Sequence, residues 1–149
     1  MLQVQTTRFG TVEIAEDRVL TFPKGLLGFS SLKRYCLLQP NEDAAFYWLQ
    51  CLDDPSLAFV VTDPNLFFSD FSAPIRPEQM RELTLTKLED AQVFVIVNKV
   101  NDNLTANLQG PLVVNVTNRI GEQLVLADKR WTTRHHMLSV GQPAQAASA

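Results

Sequence analysis

The sequence predicts an all-β fold: a small antiparallel β-barrel-like or sandwich domain with about ten short strands and one short helix. Three observations predict it. Apolar, β-branched and aromatic runs of strand length recur along the chain, separated by short polar or Gly- and Pro-containing turns. Two adjoining runs, Phe46-Tyr47-Trp48-Leu49-Gln50-Cys51-Leu52 and Leu57-Ala58-Phe59-Val60-Val61-Thr62, are largely apolar on both faces, which places them mid-structure rather than at an edge. Helix signals concentrate at one place: Pro77 suits a first helical position and Glu78 stands in the first turn, giving a helix over 78–83.

In chain order, residues 2–7 alternate apolar and polar and resume as Val12-Glu13-Ile14, a hairpin turning near Gly10. Residues 19–22 make a third strand stopped by Pro23. In the loop 24–29, Gly25 and Gly28 are expected to take backbone shapes that other residues resist. One helical turn over 30–34 with Ser30 as N-cap, a strand over 35–39 and a polar turn over 40–43 lead to the central hairpin. There Tyr47, Leu49 and Cys51 point one way and Phe46, Trp48 and Leu52 the other. Asp54 and Pro55 suit the first two positions of a type I turn, and Trp48 and Phe59 have the size and neighbours of core residues. Pro64, Pro74 and Pro77 rule out a continuous helix or a central strand over 64–77. Strands follow over 93–100 and 104–108, joined through Asn101-Asp102-Asn103, then a hairpin of 112–117 and 123–126 turning over 118–121, and a last extended segment over 131–137. The Gly, Gln, Pro, Ala and Ser of 141–149 cannot bury apolar surface, so a single β domain over 1–140 precedes a disordered tail.

With 149 residues, 46% hydrophobic and 19% charged, the chain has the composition of one soluble globular domain. It can bury roughly two-thirds of its unfolded surface without metal or disulfide. The net charge of −3 argues against a general nucleic-acid binder. Cys36 and Cys51 lie inside apolar runs and read as reduced core residues. The absence of a signal-peptide pattern and of a long apolar run points to the cytoplasm.

Catalytic and metal-binding constellations are hard to assemble. The histidines are the neighbours His135 and His136, which on a strand point to opposite faces; one is expected to pack inward and the other to face solvent. A Cys36 or Cys51 pair with His135 would need a thiolate inside an apolar strand. Asp53 and Asp54 are explained by their turn, and Gly25-Leu26-Leu27-Gly28 lacks the Lys and Ser/Thr of a phosphate-binding loop. The run 129–134, Lys-Arg-Trp-Thr-Thr-Arg, mixes basic and aromatic residues, as an RNA-contacting surface or a charged edge strand would. Neither catalysis nor a cofactor is expected. The one feature that stands out is Leu66, Phe67, Phe68 and Phe71 in a predicted loop. They are either a lid folded back over the open end of the barrel or a hydrophobic contact patch for another protein, and all four are candidate partner-binding residues.

Several segments in order resemble the flagellar assembly factor FliW. They are Thr7-Arg8-Phe9-Gly10-Thr11-Val12-Glu13-Ile14, Phe22-Pro23-Lys24-Gly25-Leu26-Leu27-Gly28-Phe29, Trp48-Leu49-Gln50 with the run 53–64, Leu104-Thr105-Ala106-Asn107-Leu108-Gln109-Gly110-Pro111, and Arg134-His135. The run 66–71 departs from the second proline–aromatic pair that the resemblance leads one to expect. The resemblance implies a cytoplasmic β-barrel-like protein without catalytic activity or cofactor, monomeric when free, with no direct nucleic-acid or membrane partner. It implies two protein partners: flagellin, and CsrA, the RNA-binding translational repressor of flagellin mRNA. Free flagellin would occupy the protein, and its export would release the protein to antagonise CsrA, combining a chaperone role with translation regulation. The alternative in a different class is a small-ligand-binding β-barrel carrier protein.

Overall fold

The computed structural model describes residues 1–39 and 45–139. The turn expected over 40–43 and the tail expected over 141–149 lie outside these residues. Alternation of apolar residues builds eleven strands among the described residues. They are β1 (Leu2–Thr6), β2 (Gly10–Ile14), β3 (Leu20–Thr21), β4 (Arg34–Leu38), β5 (Phe46–Cys51), β6 (Ala58–Thr62), β7 (Ala91–Val100), β8 (Asn103–Ala106), β9 (Leu112–Asn115), β10 (Ile120–Gln123) and β11 (His135–Ser139). Among the described residues a single α-helix, α1 (Pro77–Glu82), stands between β6 and β7, with proline at its first position as the sequence predicts.

The ladders close into a ring. Strands β3, β4, β5, β6 and β7 pair antiparallel in that order, β7 continues to β9, β9 to β10, and β10 returns to β3 through a parallel contact of Ile120 with Thr21. The ten-residue strand β7 makes closure possible. Its first half, from Ala91 to Phe94, pairs with β9, and its last residues, from Val97 to Val100, pair with β8, which in turn carries β11. Closure removes most of the free edges that an open sheet would expose.

Side-chain alternation sorts the core into three parts. Inside the ring lie Leu20, Phe22, Leu26, Tyr35, Leu49, Cys51, Val61, Phe94, Leu112 and Val114. Outside β7, β9 and β10, the segment 68–85 and the residues after β10 cover a second core that includes Val95, Val113, Leu83, Leu108, Leu124 and Trp131. The β1–β2 hairpin covers a third around Val4, Ile14 and Cys36. The central hairpin is thus covered on both faces. Tyr47, Leu49 and Cys51 face the barrel interior, and Leu52 packs under the first hairpin. Its turn forms as expected, with the Leu57 N–H donating to the Asp54 carbonyl (3.1 Å) and the Ser56 N–H to Asp54 Oδ1 (3.0 Å).

Several details differ from the sequence reading; among them, the strand expected over 104–108 is β8 (Asn103–Ala106) and the last extended segment, expected over 131–137, is β11 (His135–Ser139). Trp48 and Phe59 are half-buried instead of fully buried: Trp48 lies on the outer face beneath Phe9 and the Arg8 guanidinium, and Phe59 sits at the end of the interior against Phe29. Residues 30–34 form no helix, because the Phe22 N–H bonds the Lys33 carbonyl (2.8 Å) and Arg34 already pairs with Thr21. The strand expected over 123–126 is instead β10, three residues earlier. Gly121 belongs to that strand: a Cβ there would come within 2.5 Å of the Phe22 ring, so the glycine serves close approach rather than the turn. The turn itself is made by Arg119 with a φ of 61°.

Candidate functional site: the open mouth of the barrel

The two ends of the ring differ. One is plugged by the loop after β3. Phe22 is fully buried and meets Tyr35 edge-on at 5.6 Å, and Leu26 is buried beside them. Gly25 turns the loop with a φ of 66°; a Cβ there would meet the Phe29 carbonyl oxygen at 2.5 Å. The Lys33 ammonium holds the Pro23 carbonyl (2.6 Å), and Lys24 pairs with Glu82 of α1 and with Glu122 of β10 (3.6 Å).

Among the described residues, the other end is open. A recess of about 590 Å³ lies there, floored by Leu20, Leu37, Tyr47, Phe94 and Val114, all from the inner face of the ring, and rimmed by Asp17, Arg18, Gln92 and Arg119. A second recess of about 290 Å³ shares Tyr47, Gln92 and Phe94 with the first and is bounded on its outer side by Asp63 and Leu66. The described part of the molecule therefore has an apolar hollow at one end with polar and charged groups around its lip, the usual make-up of a binding site.

The aromatic segment divides between these surroundings. After β6, Asp63 Oδ1 accepts the Asn65 N–H (2.9 Å) and starts a 3-10 turn over Pro64–Leu66. That turn throws Leu66 outward: it is 62% exposed at the edge of the second recess. Phe67 stacks on Phe46 (5.6 Å between ring centres) and is half-buried. Phe68 is half-buried edge-on to His135, and Phe71 is 4% exposed, edge-on to Trp131 at 5.0 Å. The Asn65 side-chain amide ties the segment down by donating to the Phe71 carbonyl (2.8 Å). Phe68 and Phe71 therefore roof the outer core beside the barrel wall, not its open end, and Leu66 reaches the lip of the mouth.

The other candidate groups are engaged in packing. Burial pushes the Cys36 thiol up to about 11 and raises that of Cys51, so both are protonated near neutral pH. His135 packs against Phe68 and Trp131 and His136 is exposed. Asp53 pairs with Arg34 (2.5 Å). Trp131 is buried, and Arg130, above its ring, is held by Asp128 (2.9 Å), so the 129–134 run offers no free aromatic face for a base. Among the described residues, no group of three or more His, Cys, Asp or Glu is placed to hold a metal ion, and no helix is long and apolar enough to cross a membrane.

The sequence profile of a family described as FliW protein matches residues 3–137. The chain is 38% identical over 130 residues to a protein of Magnetococcus marinus, covering 85% of this chain and 80% of the relative. It is 39% identical over 139 residues to one of Moorella thermoacetica, covering 91% and 88%. Both relatives are described as flagellar assembly factor FliW. A solved structure, the crystal structure of the flagellar assembly factor FliW, superimposes with a TM-score of 0.84 at 33% identity, covering 92% of this chain and 97% of that one. The chain belongs to the FliW family. The segments that carry the resemblance in sequence turn out to be builders of this FliW fold. The 22–29 run is the plug. Gln50 is buried, and its amide donates to the carbonyls of Cys51 (3.0 Å) and Pro55 (3.1 Å), organising the central turn. Asn107 Oδ1 accepts the Gly110 N–H (2.8 Å). The groups of the larger recess fall outside those segments: Arg18, Leu37, Gln92 and Arg119 come from four separate stretches. Only Leu66 signalled this region in the sequence, as a large apolar residue in a proline-bounded loop.

Proposed function

We propose that this chain works in the bacterial cytoplasm as a non-enzymatic flagellar assembly factor that binds unassembled flagellin. Once flagellin is exported, it binds and antagonises CsrA, so that flagellin translation follows flagellin export. Membership of a family whose curated relatives are described as flagellar assembly factors supports the assembly role. The observation that favours a partner surface at the mouth is Leu66, a large aliphatic side chain left in water beside an apolar recess. An isolated exposed leucine means little, but one that continues an apolar hollow offers a partner's apolar face a place to bury. The turn that carries Leu66 is stiffened by Pro64 and the Asp63 cap, so little backbone freedom is lost on binding.

Calorimetric titration of the purified chain with monomeric flagellin, and separately with CsrA, tests this reading. Both should bind the wild-type chain, and prior saturation with flagellin should reduce CsrA binding. Absence of binding to both proteins would refute it.

A further inference from the structure

We propose that the open mouth of the barrel is also a binding site for a small amphipathic carboxylate with an unbranched apolar body, of the kind a medium-chain fatty acid represents. The larger recess, at about 590 Å³, falls within the roughly 300–1,000 Å³ range of small-molecule sites. Its floor is apolar: Leu20, Leu37 and Val114 supply aliphatic surface, and Tyr47 and Phe94 meet edge-on at 6.0 Å. The hollow is elongated, because the second recess continues past Tyr47 and Phe94 towards Leu66. An elongated apolar hollow suits an alkyl chain better than a compact or polar molecule.

The rim sets the sign of the head group. Arg18 and Arg119 both line the larger recess, and neither is ion-paired among the described residues, whereas Arg34 is held by Asp53 and Arg130 by Asp128. Arg119 spends one N–H on the Thr117 carbonyl (3.2 Å) and, among the described residues, keeps the rest of its fork free. Among the described residues Asp17 is the one carboxylate lining this recess, so there two arginines face one aspartate, on a chain whose net charge is −3. Tyr47 adds a hydroxyl that makes no hydrogen bond among the described residues. A planar carboxylate fits an arginine fork through two parallel hydrogen bonds, and an ammonium head group would meet repulsion at the same place.

Methyl-detected NMR of the purified chain, titrated with decanoate and in parallel with decylamine, tests the proposal. Decanoate should shift the methyl signals of Leu20, Leu37 and Val114 saturably at one-to-one stoichiometry, and should bind more tightly than decylamine. The double variant Arg18→Gln, Arg119→Gln should lose about tenfold or more in decanoate affinity, with an unchanged melting temperature. Four results would each overturn the proposal: no saturable shift at millimolar decanoate, shifts clustered instead around the exposed Leu27, Leu88 or Val125, decylamine binding as tightly as decanoate, or a double variant that binds like the wild type. The titration contains neither flagellin nor CsrA, so its failure would leave the partner reading standing.

Discussion

The plugged and the open end of the barrel are built from the same strands but solve opposite problems. At the plugged end, each strand's inward residue meets another: Phe22 fills the space between Tyr35 and Gly121, Leu26 closes in behind, and two positive-φ glycines let the loop fold tightly enough to do so. At the open end, the inward residues Leu37, Tyr47 and Phe94 are not covered to the same degree, and the lip carries charge in place of a plug. Stability is concentrated where packing is complete, and capacity for binding remains where it is not.

The sharpest way to break the plugged end is Phe22→Ala. Removing a fully buried ring should cost about 3–5 kcal/mol of stability in urea unfolding; a loss under about 1 kcal/mol would mean that the end is loosely packed. Next comes Gly121→Ala, where the new methyl would press on the Phe22 ring from 2.5 Å and neither can move freely. A cost of about 1–3 kcal/mol is expected, measured the same way. Alkaline pH should weaken the same end. Burial pushes the Tyr35 phenol up to about 12, and its hydroxyl donates to the Leu32 carbonyl (3.2 Å). The unfolded chain ionises this tyrosine first, near about pH 10, so its contribution is complete below that pH and is lost as pH rises towards 12. Cys36, pushed up to about 11, acts in the same direction from about pH 9 upward. Unfolding midpoints should therefore fall steadily above about pH 9, and Tyr35→Phe should flatten the upper part of that fall.

The plugged end was more legible in the sequence than the open one. Strand runs, turn residues and glycines are local signals, and they located the central hairpin, α1 and the 22–29 loop. What could not be read locally is which strands meet. Gly121 looks like a turn residue until β10 is paired with β3 and Phe22 arrives above it. For the same reason Trp48 looked like core: its neighbours in sequence are apolar, but its cover comes from Phe9, 39 positions earlier. The mouth is harder still. Its lining comes from the β2–β3 connection, β3, β4, β5, β7, β9 and the β9–β10 turn, and no periodicity links Arg18 to Arg119. Leu66 stands out in the sequence because a leucine between prolines is out of place in a loop, whereas the inward course of Phe71 depends on Trp131, far along the chain.

The central claim is that the open end is the working end, and Leu66 tests it most directly. Leu66→Ser should leave the melting temperature almost unchanged, since an exposed side chain contributes within about 0.5 kcal/mol. It should weaken binding to flagellin or to CsrA by about tenfold, or roughly 1.4 kcal/mol. Phe71→Ser, measured beside it, should lower the melting temperature first, because that ring lies against Trp131. A Leu66→Ser chain that binds both partners with wild-type affinity would contradict the claim.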